Sequence, residues 1–105
     1  MPKTTLPQAK ARHFRSLGHK LKPVIIIAGK GINENIKLEI ERALNDHELI
    51  KVSLKVGDRD LKKNMVNQIC DDHGATLVQL MGNIALLYRA AEKPNPKLSN
   101  LMRTL

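Results

Sequence analysis

Aromatic side chains are scarce in this chain of 105 residues, which contains one phenylalanine, one tyrosine and no tryptophan. Modules such as the RRM and single-strand binding grooves hold bases by stacking them on exposed aromatic rings. Phe14 and Tyr88 are too few to form such a platform, and we expect both to pack inside the fold. The composition therefore excludes a stacked-base platform of that kind.

Cysteine and long apolar runs are also lacking. The single cysteine, Cys70, excludes an internal disulfide and suits a reducing cytosol. No apolar run approaches the roughly 20 residues that span a bilayer, and the N-terminus has no hydrophobic signal segment. With 42% apolar and 27% charged residues, the chain is typical of one folded soluble domain. We expect a cytoplasmic monomer that has no contact with membranes.

Acidic residues are absent from the first third of the chain, where Glu34 is the first. Residues 1–33 contain seven basic residues, which are Lys3, Lys10, Arg12, Arg15, Lys20, Lys22 and Lys30. Residues 34–60 contain five basic and seven acidic residues, although the whole chain has a net charge of +8. Positive charge concentrated in one segment indicates a binding surface for a polyanion.

Hydrophobic periodicity predicts three helices and four strands in the order α-β-α-β-α-β-β. The predicted helices span residues 5–17, 33–46 and 59–72, and the predicted strands span residues 24–28, 49–55, 76–81 and 84–89. Gly18 and Gly74 are expected to end helices, and Gly82-Asn83 to form a two-residue hairpin turn. Residues 1–5 are interpreted as an arm and residues 91–105 as a tail.

This element order predicts an α/β (α+β) domain with a four-stranded mixed sheet packed by three helices. The unbroken β-branched run of the first strand indicates burial on both faces. The second strand alternates Ile50, Val52 and Leu54 with polar residues, so one of its sides is expected to face water.

The strongest local feature is the loop Gly29-Lys30-Gly31 between the first strand and the second helix. A glycine loop that opens a helix can direct backbone N–H groups and the positive end of the helix dipole at an anion. Asn33 is placed to cap the helix. Two glycines at this spacing also suit a plain turn, but the basic surroundings and the lack of nearby acids favour an RNA phosphate.

The other candidate RNA contacts are basic side chains. Lys20, Lys22 and Lys30 surround the loop, and Arg12 and Arg15 of the first helix extend the basic surface. Lys51 and Arg59, with Lys62 and Lys63, are weaker candidates because ordinary solvated basic residues have the same pattern. Such contacts grip the RNA backbone and position it rather than read its bases.

Catalytic and cofactor motifs do not emerge from the sequence. The loop is neither a GxGxxG dinucleotide motif nor a P-loop. The four histidines are scattered, and Cys70 with His73 forms only half of a zinc site. Asp58 and Asp60 open a helix, where acidic residues serve as caps, so we interpret them as structural. We expect no cofactor, no metal and no enzymatic activity.

Five short segments together resemble the CRM domain family (chloroplast RNA splicing and ribosome maturation), in its stand-alone bacterial YhbY-type form. The segments are LKPV at 21–24, GINE at 31–34, HELIKV at 47–52, DR at 58–59 and LYR at 87–89. The resemblance implies the same α-β-α-β-α-β-β fold over residues 6–90. It also implies binding to ribosomal RNA in precursors of the large subunit. The GxxG loop of the family falls on Ala28, Gly29, Lys30 and Gly31, with the second glycine kept.

Two other functions stay open on the sequence alone. One is a protein-binding module that recruits an assembly factor through the acidic part of the second helix. That part contains Glu39, Glu41, Asp46 and Glu48, which we otherwise interpret as a solvated face. The other is a small enzyme that acts on RNA, with Asp58 as the residue to test.

Overall fold

The computed structural model describes residues 6–29 and 31–102, and its elements follow the predicted order. They are α1 (Gln8–Gly18), β1 (Pro23–Ile27), α2 (Glu34–His47), β2 (Leu49–Leu54), α3 (Arg59–His73), β3 (Thr76–Met81) and β4 (Ile84–Tyr88). The predicted arm at residues 1–5, Lys30 and residues 103–105 lie outside the described residues.

The strands form one four-stranded mixed sheet in the order β1-β2-β4-β3. β1 runs parallel to β2 and is joined to it through α2, whereas β4 is antiparallel to both β2 and β3. The β3–β4 turn is Gly82-Asn83, in which Gly82 has a positive φ of 59°. The predicted fold class, with three helices on a mixed sheet, is therefore confirmed.

One face of the sheet packs against α2 and α3, and we call it the helix-pair face. Because side chains alternate along a strand, Ile50, Val52 and Leu54 of β2 all point to this side. They are buried together with apolar residues from both helices, including Ile40 and Ile69. This face contains the main hydrophobic core, and the predicted core residue Cys70 lies in it with 3% of its surface exposed.

The ends of α2 and α3 are held by the residues that the sequence predicts. The Oδ1 atom of Asn33 accepts a hydrogen bond of 2.9 Å from the Ile36 N–H. Asp58 does the same for α3, accepting from the Asp60 N–H at 2.8 Å. Gly74 ends α3 in the left-handed conformation, with φ at 65°. Asp58 therefore has the structural role that the sequence predicts.

The opposite face of the sheet, which we call the α1 face, packs against α1. Phe14, Leu49 and Leu86 are buried there, and the Phe14 and Tyr88 ring centroids are 4.7 Å apart. Gly18 lies directly over Leu86, so close that an added Cβ would be 2.7 Å from Leu86 Cδ2. α1 ends at Gly18, as the sequence predicts, and the absence of a side chain there permits the close packing on the sheet.

α1 begins at Gln8, later than the predicted start at Thr5. Pro7 occupies the N-cap position in an extended conformation, with φ −55° and ψ 144°, and its side chain forms no capping hydrogen bond. Thr5, the predicted cap, lies outside the described residues.

Burial of the two parallel strands differs from the sequence-based expectation. β1 is not buried on both faces, because Val24 and Ile26 are 48% and 56% exposed on the α1 face. α1 does not cover this edge strand, so its β-branched residues are exposed on that side. Conversely, the side of β2 expected to face water is largely covered. Ser53 is only 7% exposed between Ile26 and Ile84 of its neighbouring strands.

The segment after β4 lacks helix and strand in residues 89–102 but is held to the turn between α2 and β2. Glu48 has a positive φ of 63° and is buried, and its carboxylate accepts hydrogen bonds from the Ser99 hydroxyl at 2.7 Å and the Ala91 N–H at 2.8 Å. The Asn100 side-chain amide donates to the Leu49 carbonyl at 2.6 Å. The expectation that Glu48 is solvated is therefore wrong, because this carboxylate anchors the C-terminal segment.

Candidate nucleic-acid interface

The α1 face and the residues leading into β1 contain most of the basic residues predicted to bind RNA. Arg12, Lys20 and Lys22 are exposed, and Arg15 is half-buried. Lys51, also half-buried, pairs across the sheet with Pro23 and Leu86. Register therefore places Lys51 beside the segment that contains Lys20 and Lys22. The sequence did not indicate this proximity, because Lys51 is far from both along the chain.

Two open grooves lie on this face. The first, which we call the lysine groove, has a volume of about 300 Å³ and lies where the chain enters β1. Its lining residues are Lys20, Leu21, Lys22, Val24, His47 and Asn100. His47 Nδ1 donates to the Leu98 carbonyl at 2.9 Å, so the C-terminal segment helps to shape this groove. No sequence signal indicated that His47 or Asn100 would lie beside the two lysines.

The second groove, which we call the methionine groove, lies between the C-terminal end of α1 and the sheet and has a volume of about 140 Å³. Its lining residues are Arg15, Gly18, His19, Lys51, Gln79, Met81, Ile84 and Leu86. Arg15 and Lys51, predicted separately from the sequence, therefore line one groove. None of the described residues that line either groove is acidic, so both grooves suit an anionic ligand.

The glycine loop is a closed turn. Gly31 has a positive φ of 75°, and its N–H donates to the Ala28 carbonyl at 2.9 Å. That N–H was expected to hold a phosphate, but it is used within the turn and would be released only if the turn opened. Gly29 is exposed, with nothing within 4 Å of an added Cβ. Lys30, the central side chain of the prediction, lies outside the described residues.

The start of α2 contains an acid as well as a cap. Asn33 caps the helix, and the exposed Glu34 lies in its first turn, 3.6 Å from Lys37 Nζ. A carboxylate at this position already complements the helix dipole. The N-terminus of α2 is therefore a weaker anion site than the sequence suggests. The basic groups of the α1 face are better placed to bind an anion.

Arg59 is not brought together with the other candidates. It lies exposed at the first residue of α3, a helix that packs on the helix-pair face. Lys62, one turn further along, donates to the Asn83 side chain at 2.6 Å and so ties α3 to the β3–β4 turn. Of the basic residues predicted to contact RNA, those of α3 are thus separated from the α1 face by the sheet.

Two of the four acidic residues assigned to the second-helix surface form contacts within the chain. Glu48 anchors the C-terminal segment, and Glu41 accepts hydrogen bonds from Arg89 at 3.0 Å and His73 at 2.9 Å. The hydrogen bond from Arg89, followed by that from His73, lowers the pKa of Glu41 to about 2. An acidic docking surface on α2 would therefore depend chiefly on Glu39 and Asp46.

Clustered metal ligands and membrane-spanning helices are both absent from the described part of the chain. Residues 6–29 and 31–102 contain no group of three or more His, Cys, Asp or Glu side chains that could hold a metal ion. Within the same residues, no helix is both long and apolar enough to cross a membrane.

A small basic domain with cationic side chains on one side of its sheet has the charge distribution typical of nucleic-acid-binding proteins. The profile of the CRS1 / YhbY (CRM) domain matches residues 6–89. The chain therefore belongs to the CRS1 / YhbY (CRM) domain family, as the five segments indicated.

Relatives in three bacteria support this membership. A Pseudomonas aeruginosa protein named "Probable RNA-binding protein" is 47% identical over 98 residues, covering 93% of this chain and 94% of its own length. A Haemophilus influenzae protein named "RNA-binding protein" is 41% identical and covers 86% of this chain and 91% of its own. The solution structure of a hypothetical protein from Staphylococcus aureus, described as a candidate RNA-binding protein, is 32% identical. It superimposes with a TM-score of 0.73 over 85% of this chain and 93% of its own.

Proposed function

We propose that this protein is a non-catalytic RNA-binding protein that associates with ribosomal RNA of the large-subunit precursor and assists its assembly. The RNA backbone lies along the α1 face, where Arg12, Arg15 and Lys51 supply positive charge beside Lys20 and Lys22. We further propose that the RNA backbone extends to the turn formed by Ala28, Gly29 and Gly31 and to Asn33, with Lys30 as an additional contact. The protein acts as a monomer in the cytoplasm, where ribosome precursors are assembled.

The observation that carries this proposal is the separation of charge between the two sides of the sheet. α1 and the two grooves present basic side chains, and the described residues lining those grooves include no acid. The acids of α2 and α3 lie on the opposite side, where Asp58 caps α3 and Glu34 and Glu41 pair with basic groups. A one-sided cationic surface attracts a phosphate backbone through release of its counterions.

The two alternative functions find less support. A protein-binding module on α2 would lose Glu41 and Glu48 to contacts within the chain. An enzyme that uses Asp58 would need its carboxylate free, whereas that carboxylate accepts hydrogen bonds from the Asp60 and Leu61 N–H groups. RNA binding is the function that the surface suits best.

The test titrates a large-subunit ribosomal RNA fragment against the wild type, Arg12→Glu and Arg42→Glu over a series of salt concentrations. Both arginines are exposed on helices, Arg12 on α1 and Arg42 on α2, so the same charge reversal is placed on opposite sides of the sheet. For the wild type, the logarithm of the RNA affinity should fall linearly with the logarithm of the salt concentration. Arg12→Glu should reduce the magnitude of that slope by about 1 or more. Arg42→Glu should change the slope less.

Equal slopes for the wild type and Arg12→Glu, or an equal loss in both variants, would contradict RNA binding on the α1 face. Sedimentation of the cellular protein with large-subunit precursors tests the ribosomal part of the proposal separately. If the protein stays at the top of the gradient while binding RNA in the titration, the RNA is not ribosomal.

A further inference from the structure

α1 covers only part of its sheet face. Phe14 of the helix packs against the sheet around Leu86 and Tyr88, and Gly18 at the end of the helix lies directly over Leu86. Beyond Leu86, the sheet continues for one more row of residues, and no helix of the described residues lies above it. We call this row, which α1 does not cover, the uncovered row.

The uncovered row crosses all four strands. Strand register pairs Ile26 with Ser53, Ser53 with Ile84, and Ile84 with Met81, so these side chains lie side by side on one face. At the usual strand spacing, the row is about 14 Å wide. Ile26 is 56% exposed and Met81 is 61% exposed. Ser53 is buried between its neighbours and Ile84 is half-buried. The exposed apolar groups are therefore Ile26 at one end of the row and Met81, beside Ile84, at the other. Exposed apolar groups next to a polar rim indicate a binding surface.

The methionine groove opens onto this row and adds polar groups to it. Arg15 and His19 come from the end of α1, and Lys51 and Gln79 come from the sheet. An imidazole ring and a guanidinium plane both stack on nucleobases, so the scarcity of phenylalanine, tyrosine and tryptophan does not remove every stacking group. The Gln79 amide both donates and accepts hydrogen bonds, as the edge of a base requires.

Resting on the RNA-binding function proposed above, we propose that the methionine groove holds an unpaired nucleotide. Its base lies on the apolar floor formed by Met81 and Ile84, within reach of the Gln79 amide. Arg15 and Lys51 neutralise the adjoining phosphates. The protein therefore prefers RNA that offers an unpaired base next to a structured segment over a fully paired duplex.

The charge of the groove favours RNA over a protein or a second copy of this chain. Two of its lining side chains, Arg15 and Lys51, are basic, and the described lining residues contain no acid to pair with them. A second copy would bring the same positive groups against each other, which costs free energy on association. A phosphate-linked base satisfies both the apolar floor and the basic rim.

The experiment compares a short single-stranded RNA with a duplex formed from it, using the wild type, Met81→Ala, Gln79→Ala and Leu38→Ala. Leu38 on α2 is 69% exposed and serves as a matched exposed apolar control on the other side of the sheet. Met81→Ala should weaken binding of the single strand about fivefold, the lower end of what loss of a base-stacking side chain costs. It should leave duplex affinity and the salt slope unchanged. Gln79→Ala should weaken single-strand binding in the same way, and Leu38→Ala should match the wild type.

Equal losses on both RNAs, or no loss for Met81→Ala, would overturn the nucleotide site while leaving backbone binding intact. Sedimentation of the same variants without RNA covers the competing explanation. If the wild type self-associates and Met81→Ala abolishes this without changing RNA affinity, the row is a protein interface and the proposal is wrong. Failure of the proposed binding of the RNA backbone to the α1 face can be distinguished from all of these outcomes. It would appear as equal salt slopes for the wild type and Arg12→Glu.

Discussion

The two faces of the sheet are covered by helices to different extents. Two helices cover the helix-pair face and bury Ile25 and Ile27 of β1 almost completely. One short helix covers the α1 face and leaves Val24 and Ile26 of the same strand about half exposed. Adjacent residues of one strand, all β-branched, therefore meet opposite environments.

With the proposed function, this difference assigns stability to one face of a single layer of strands and RNA binding to the other. The helix-pair face contains the continuous apolar core, and burial of apolar surface is the main source of folding free energy. The α1 face has a smaller apolar cluster around Phe14, and the rest of its surface consists of basic and apolar groups that face solvent. The incompletely covered face is the one available to bind a ligand.

The largest expected effect comes from truncating neighbouring isoleucines on opposite faces. Ile27→Ala removes a side chain that is 0% exposed and should lower the free energy of unfolding by about 3 kcal/mol. Ile26→Ala, at 56% exposure, should cost less than about 1 kcal/mol. Urea denaturation of both variants measures the contrast, and equal costs would mean that the α1 face is covered in solution.

The next largest effect concerns the C-terminal segment, residues 89–102, and its anchor Glu48. Glu48→Ala leaves the Ser99 hydroxyl and the Ala91 N–H without their acceptor, so the free energy of unfolding should fall by about 2 kcal/mol. The strain of the positive φ at this residue is similar for Glu and Ala, so the change reports the hydrogen bonds. Denaturation and limited proteolysis measure it, with Glu92→Ala, an exposed acid of the same segment, as the control. A stability unchanged by Glu48→Ala would show that the segment is not anchored.

The sequence predicts the helix-pair face well because its signals are local. Asn33, Asp58 and Gly74 mark helix ends through contacts within a few residues, and the apolar stripes of α2 and α3 follow helical spacing. Coverage of the α1 face is not a local property. The exposure of Ile26 depends on where α1 lies on the sheet, and the close approach of Gly18 to Leu86 is a contact between residues far apart along the chain.

The sequence predicts which basic residues belong to the candidate site but not how they are arranged. The basic residues of the first third of the chain are readable from their order, whereas the partners that shape the grooves come from later segments. Lys51 and Met81 reach the site through strand register, and Asn100 reaches it through the Glu48 anchor. Register and a buried carboxylate at positive φ both depend on tertiary contacts, so no nearby sequence signal reports them.

A smaller effect separates the two glycines of the loop next to the α1 face. Gly31 has a φ of 75°, so Gly31→Ala should cost about 1 kcal/mol through backbone strain. Gly29 has open space around an added Cβ and no positive φ, so Gly29→Ala should leave stability within about 0.5 kcal/mol of the wild type. Thermal denaturation of the pair tests whether the closed turn persists in solution, and a costlier Gly29→Ala would contradict it.

Acid should weaken the polar network at the edge of the helix-pair face. The pKa of Glu41 is lowered from 4.5 to about 2, first by the hydrogen bond from Arg89. Its contribution is therefore complete above pH 4.5 and is lost as the pH falls from 4.5 toward 2. Because 47% of the Glu41 side chain is exposed, solvent screening limits the loss to about 1 kcal/mol. Glu41→Gln should remove this part of the pH dependence, and an unchanged acid profile would show that the ion pair contributes nothing.

The smallest effect is a change in the pKa of Tyr88, which burial raises first and the negative charge of Glu48 raises further. Tyr88 packs against Phe14 on the α1 face, and burial, followed by the negative charge of Glu48, raises its pKa above 10.0. Since Tyr88 is the only tyrosine, ultraviolet absorbance of the phenolate follows this one group. Glu48→Gln removes the charge and should lower the pKa of Tyr88, which stays above its ordinary value because burial persists. A pKa of Tyr88 that does not move would mean that Glu48 bears no charge beside the ring, and the anchor joining the two faces would then be a neutral one.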